Sequence, residues 1–358
     1  MILDQQIKTL EHQLKISLQE KDSSKLKIQG GLGYSTQNNE IISLSLRDLK
    51  MNSIPDVVFD ISSLKELDLG YNSISTVSEK FENLTNLQYL NLEENNIQHL
   101  DASNLSNILE ELSVFSNVLE SISEDISNLT KLKHLSLGMN QILSIPESVH
   151  LLKDLQTLTL GGNKLKTIPT SLGDLKSLYK LNIFQNSLET IPESIGELEQ
   201  LQDLFIGYNL LEELPESIGN LKQLKNLQLW RNILKKLPES LCSLENLENI
   251  WIDHNQLEKL PNNIAHLKSL KLMQVGYNNL VSLPDEIIKL DKLEKLNLEN
   301  NKLETLPAKL YEMKNLKELN IRLNDCVIEE ETKEKLQKQG CFILEGRGII
   351  RKNQIKRK

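Results

Sequence analysis

Apolar and polar positions follow one pattern, L-x-x-L-x-L-x-x-N-x-L, which returns again and again from Leu64 onward. The x-L-x-L-x stretch alternates at period two. It therefore predicts a short strand whose middle leucines point inward while their neighbours face out. Copies of that strand stacked about 4.8 Å apart make one parallel sheet. A second half follows each asparagine, [LI]-P-x-x-[IL]-x-x-L, and its apolar residues three apart suit about one helical turn on the opposite, convex side.

The repeat markers are regular. Asparagines fall at Asn72, Asn95, Asn117, Asn140, Asn163, Asn186, Asn209, Asn232, Asn255, Asn278, Asn301 and Asn324, at a spacing of 23 residues except for the 22 between Asn95 and Asn117. A degenerate unit, Ile41-x-x-Leu44-x-Leu46, comes first and carries Leu49 in place of asparagine, so thirteen units run from Ile41 to about Cys326. All nine prolines, from Pro55 to Pro307, occupy the fifteenth position of their units. Each asparagine sits where the chain turns after its strand. A side-chain amide both donates and accepts, so a column of them can satisfy buried backbone groups there. Each proline biases the residue before it away from helix and so starts the return leg. Ser78, Asp101 and Ser123 replace proline in three early units, which predicts a more irregular convex side over the N-terminal third.

These repeats resemble the leucine-rich repeat family over roughly four fifths of the chain. The variant Ile191-Pro192-Glu193-Ser194-Ile195-Gly196, repeated at Leu214-Pro215-Glu216-Ser217-Ile218-Gly219, is similar to intracellular Ras-group and scribble-type repeats and to bacterial and archaeal arrays. The resemblance implies an α/β solenoid: a right-handed β-α superhelix with a curved parallel sheet on its concave face and short helices or turns on its convex face. It implies partner binding and nominates no catalytic residue. A small GTPase or a regulator of one is the partner that the Ras-group likeness points to.

Solenoid ends expose their core and need caps. Ile7, Leu10, Leu14 and Leu18 recur at helical spacing and predict an amphipathic helix, with Gly30–Gly33 as a loop before the first strand. Ile328 to Gln339 reads as a second helix opened by Glu329, Glu330 and Glu331 and ended by Gly340, and Cys341 to Leu344 reads as a last strand. The expected organisation is thus a cap over residues 1–40, an array over 41–326, a C-terminal cap over 327–345 and a basic tail over 346–358. That tail carries Arg347, Arg351, Lys352, Lys356, Arg357 and Lys358 without an acid. It reads either as a solubilising end or as a weak contact for anionic lipid or nucleic acid.

Composition narrows the function. Leucine supplies 71 of 358 residues, and no run approaches the roughly 18 apolar residues that a membrane span needs. The first residues are polar throughout, with no secretory core. A net charge of −9 disfavours broad nucleic-acid binding. Cys242, Cys326 and Cys341 show no paired spacing, as a reducing compartment tolerates, so the expected location is the cytoplasm. Phosphate-loop, zinc-protease, serine-hydrolase and calcium-loop motifs are missing, and the six histidines never pair at metal spacing. The expectation is a monomeric, non-enzymatic scaffold that uses no cofactor, metal or small-molecule substrate. A host-directed bacterial effector is the alternative.

The outward positions around the strands hold ten of the fifteen aromatics, both tryptophans included. Phe184, Phe205, Tyr208, Trp230, Trp251 and Tyr277 lie on five adjacent rungs, about 19 Å at sheet spacing. A narrow leucine interior that excludes rings would leave them as a ladder on the sheet. Equally, six rings of about 150–250 Å² each cover about 1,000 Å², enough for the ~800 Å² that a partner buries. We favour a binding surface, with Arg231, Asp253 and His254 as its first polar contacts. Charge divides along the same face. Glu66, Asp68, Glu93, Glu94, Glu110 and Glu111 against Lys65 leave −5, and the next five units carry Lys133, Lys164, Lys180, Lys225 and Arg231 against Asp203, or +4.

Overall fold

A computed structural model describes residues 2–22 and 31–346, so Gly30 and all but the first residue of the basic tail lie outside the described part. The chain forms two units, one of residues up to Leu188 with Glu197–Gln200, the other of Glu189–Gly196 with Leu201 onward.

In the first unit, helix α1 (Ile2–Leu14) buries Ile7 and Leu10. The helix predicted to reach Leu18 stops four residues earlier, because Lys15 turns into the left-handed region at φ 54°. Leu18 is still buried, from the extended segment beyond. Two strands follow where a loop and one strand were expected. β1 (Gly33–Gln37) and β2 (Glu40–Ser45) pair antiparallel through Asn38 and Asn39, at φ 54° and 62°. Two successive residues at positive φ are what a tight two-residue hairpin of matching twist demands. From there all pairing is parallel and in register: β3 (Glu66–Asp68), β4 (Tyr89–Asn91), β5 (Glu111–Ser113), β6 (His134–Ser136), β7 (Thr157–Thr159) and β8 (Lys180–Asn182). Rings are not excluded from this core. Phe59, at the end of helix α2 (Asp56–Phe59), meets Phe81 edge-on at 5.3 Å, and both are buried.

The second unit repeats the design with β9 (Asp203–Phe205), β10 (Asn226–Gln228), β11 (Asn249–Trp251), β12 (Leu272–Gln274), β13 (Lys295–Asn297), β14 (Glu318–Asn320) and β15 (Phe342–Leu344), parallel and in register. Helix α3 (Glu330–Lys338) is shorter than predicted at both ends and stops before Gly340, at φ 87°.

Apart from helix α2, which follows Pro55, the return legs among the described residues are 3-10 turns. Pro215 stands at φ −66° and ψ 149° and its carbonyl accepts from Ile218 N at 3.1 Å, so the fixed ring angle opens the turn Glu216–Asn220. Ser78, Asp101 and Ser123 do the same work by another route, since their side chains accept from the N–H two residues on. The N-terminal third is therefore less irregular than predicted. Glu79–Asn83 and Glu124–Asn128 are five-residue turns like most of those after proline, and the 22-residue unit shortens its turn to Ala102–Asn104, a length also found at Ile264–His266 and Leu310–Glu312. The Ser-Ile-Gly of the later units has a packing reason. A Cβ on Gly219 would stand 2.4 Å from the Ser240 carbonyl and 2.8 Å from its Cβ, so consecutive turns touch through glycine and serine.

Within each unit, an asparagine adds side-chain bonds to the backbone pairing between a rung and the one before it. Asn163 accepts from Ile142 N at 3.0 Å and donates to Leu137 O at 3.0 Å and Leu160 O at 2.9 Å. Asn140, Asn232, Asn255 and Asn278 repeat the arrangement. Replacing Asn163 by Ala strands the buried Ile142 N–H, at about 1–3 kcal/mol, and removes one of the two amide donors at Leu137 O and at Leu160 O, which keep Asn140 and Asn186. Asn163→Ala is expected to lose about 2–4 kcal/mol in urea unfolding, and a loss under ~0.5 kcal/mol contradicts the bridging role.

Candidate functional site

Two positions in each rung shape the solvent-facing side of the sheet. The last strand residue of each rung lies in register with its neighbours, as in Phe205, Gln228, Trp251, Gln274 and Asn297. Three residues further on, just before the asparagine, the backbone turns left-handed. Tyr71, Glu94, Ser116, Met139, Gln185, Tyr208, Arg231, His254, Tyr277, Asn300 and Leu323 all stand at φ 51–57°. This conformation is costly for bulky side chains and persists only when surroundings impose it. The imposing bonds are the backbone ones on either side, such as Tyr208 N to Trp230 O at 2.8 Å and Asn209 N to Arg231 O at 3.2 Å. Four of the nine residues nominated from sequence, Tyr208, Arg231, His254 and Tyr277, occupy this position.

The second unit brings five of the nine together. Trp230, Trp251, Asp253, His254 and Tyr277 line an open hollow of about 460 Å³, with Gln228, Gln274 and Asn297. Tyr208 and Arg231 flank it. The Tyr208 ring meets Trp230 edge-on at 4.9 Å, and the Arg231 guanidinium sits 4.8 Å from the Tyr208 ring and 5.9 Å from that of Trp230. Trp230 also covers Gly207, where a Cβ would stand 2.9 Å from its indole, so that tryptophan has a packing duty as well. His254 stacks on Tyr277 at 4.3 Å and 14°. Trp251 has no ring or side-chain hydrogen-bond partner among the described residues. Phe205 is half-buried at the end of β9 and does not line the hollow, and Phe184 belongs to the first unit. The rings do not make a simple ladder, since Gln228 and Gln274 stand on either side of Trp251. These amides and Asn297 escaped the sequence reading, although they lie one or two whole repeats from Trp251.

The charge division expected along this face is weaker than the count implied. In the first unit Arg47, from the degenerate repeat left out of that count, lies 2.5 Å from Glu93 and 3.6 Å from Asp68. Lys133, counted as basic, pairs with Glu110, counted as acidic, at 2.8 Å. In the second unit Lys225 donates to Gln202, and Asp203 accepts from Asn226. Burial pushes the Cys242 thiol up to about 12 and that of Cys341 to about 11, so both stay protonated at neutral pH. Among the described residues, no group of three or more metal-ligating side chains converges, and no helix is long and apolar enough to cross a membrane.

Comparison with known proteins agrees with this geometry. The family model described as leucine-rich repeat region matches residues 117–210, and that described as leucine rich repeat matches 40–97 and 268–325, together more than half of the chain. The chain belongs to the leucine-rich repeat family. No curated protein matches it. Among solved structures, a leucine-rich repeat protein of Leptospira interrogans is similar at a TM-score of 0.65 and 26% identity, over 91% of this chain and 99% of its own. The Arabidopsis receptor kinase HAESA, in complex with the peptide hormone IDA and the co-receptor SERK1, gives 0.72 at 28% identity over 89% of this chain and 58% of its own. The plant peptide hormone receptor RGFR1, in complex with RGF2, gives 0.75 at 27% identity over 87% and 51%. The leucine-rich repeat chain thus spans little more than half of either receptor chain.

Within these leucine-rich repeats one charge stands out. Burial raises the Asp253 carboxyl above its ordinary range, against the opposing pull of its own backbone amide, His254 and Arg231. His254 Nε2 is 3.9 Å away, beyond hydrogen-bond length. The folded chain therefore holds the Asp253 proton more tightly than the unfolded chain does. The resulting cost to stability is absent below the unfolded value of about 3.9 and complete above the raised folded one. Asp253→Asn is expected to be the more stable protein in urea unfolding at pH 7, with the gap closing towards pH 3. A gap that stays constant across that range contradicts the assignment.

Proposed function

We propose that the protein is a non-enzymatic scaffold that binds a partner protein or peptide through the solvent-facing sheet of its second unit. The observation that carries this reading is the hollow, where two tryptophans, a tyrosine, a histidine and a carboxylate converge on an open surface. Aromatic anchors in a partly desolvated recess are the residues that dominate binding energy. HAESA is bound to the peptide hormone IDA, and the peptide hormone receptor RGFR1 to RGF2, which supports a protein or peptide ligand in preference to a metabolite. A small GTPase or its regulator is the partner that the Ras-group likeness favours. A monomeric state and a cytoplasmic location belong to the same proposal, the latter supported by three free thiols.

The test is affinity capture with the wild-type chain and with a Trp251→Ala/Tyr277→Ala double variant whose unfolding midpoint is checked first. Trp251 is chosen because its ring has no ring or hydrogen-bond partner among the described residues, and Tyr277 because it is 38% exposed. The double variant is expected to weaken the captured partner by about thirtyfold or more while melting within a few degrees of wild type. A small GTPase loaded with either nucleotide is one arm of the titration. Retention of every partner by the folded double variant contradicts the proposal.

A further inference from the structure

The hollow has a chemistry more specific than an apolar patch. Its walls are the rings of Trp230, Trp251 and Tyr277 and its polar lining is Asp253, His254 and three amides. Two of those amides already serve each other, since Asn297 donates to Gln274 at 2.8 Å. One face of Tyr277 is taken by His254, and Trp230 is engaged by Tyr208. What remains is an indole, Trp251, without a ring partner among the described residues, and a carboxylate, Asp253, bonded by its own backbone amide, two residues apart in sequence and both lining the hollow.

We propose that this hollow accepts an arginine side chain of the partner, its guanidinium stacked on Trp251 and hydrogen-bonded to Asp253. The assignment rests on the binding role proposed above and names what that surface reads. Its basis is complementarity. A guanidinium is planar, weakly hydrated and forked, so one group can stack on an indole and bond a carboxylate edge-on at once. The chain already makes half of this contact internally, with Arg231 against Tyr208 and Trp230. Of the neighbouring cations on this unit, Lys271 is paired with Glu248 at 2.6 Å and Lys295 with Glu318 at 3.4 Å, while Arg231 attracts Asp253 through space from its place against the Tyr208 ring. His254 stands too far from Asp253 to satisfy it. The positive charge of an incoming guanidinium offsets the burial that holds the Asp253 carboxyl above its ordinary range. The net charge of −9 draws basic partners in general.

The protein contains only two tryptophans, and both line the hollow, so their indole N–H signals in a nitrogen-proton NMR spectrum report on it directly. The probes are acetyl-Gly-Arg-Gly-amide, its citrulline counterpart, which keeps the shape and removes the charge, and the lysine version. The arginine peptide is expected to shift both indole signals saturably at millimolar concentration. Binding should weaken by about tenfold or more for citrulline and for the isosteric Asp253→Asn chain, the loss of one charge-assisted contact. Absence of a saturable shift, equal binding of citrulline, or equal binding by Asp253→Asn overturns the assignment, and a stronger response to lysine overturns the choice of arginine. The capture experiment separates the two levels of failure. A partner that depends on Trp251 and Tyr277 while the arginine peptide fails leaves the binding surface standing and removes only its proposed occupant.

Discussion

The structure depends on one side-chain amide repeated at every rung. A parallel stack of three-residue strands supplies few ladder bonds per rung, and the chain must then turn inward through a buried loop whose N–H and C=O groups have no strand to pair with. The asparagine meets both needs. Asn232, for instance, accepts from Leu211 N at 3.0 Å and donates to Ile206 O at 3.1 Å in the rung before and to Leu229 O at 2.9 Å in its own. Each such bond is worth about 1 kcal/mol net, and leaving its partners unmet inside the protein costs more. Aspartate lacks the donor and serine the reach, which is why the position does not vary over twelve units.

That constraint explains how the functional surface is made. The bonds that fix the asparagine also hold the residue before it in the left-handed region, whatever its side chain. The position therefore carries tyrosine, arginine or histidine despite the cost of that conformation, and the last residue of each strand varies as well. Stability is supplied from beneath and around the sheet by leucine, asparagine and the glycine–serine contacts between turns. The solvent-facing positions are left to differ from rung to rung, and in the second unit they differ so as to gather Trp230, Trp251, Asp253, His254 and Tyr277 around one hollow.

Much of this is legible in the chain itself. Leucine periodicity gives the strands and their register, and the asparagine spacing gives the bridging column, because both follow from a period that a single sequence displays. Other features depend on geometry that the period does not encode. The hairpin at Asn38–Asn39 lies before the repeats begin and carries the left-handed turn chemistry in a pair of asparagines without glycine. Ser78, Asp101 and Ser123 read as departures from proline, whereas their side chains cap the same turn by hydrogen bonding. On the face of the second unit, five nominated residues line the hollow and Phe205 does not, since neighbouring rungs bring together only residues at particular offsets. The same offsets place Gln228, Gln274 and Asn297 in the hollow. Counting charges by rung missed the pairing of Lys133 with Glu110, which crosses between rungs.

The central claim is that the asparagine column holds the rungs together independently of what the face displays. Amide hydrogen exchange at Leu211 tests it most directly, because that N–H donates to the Asn232 side chain alone among the contacts described here. In Asn232→Ala its protection is expected to fall by about a hundredfold, the loss of a buried, satisfied donor. In Trp251→Ala it is expected to stay at the wild-type level. Wild-type protection of Leu211 in Asn232→Ala, or an equal loss in Trp251→Ala, contradicts the account.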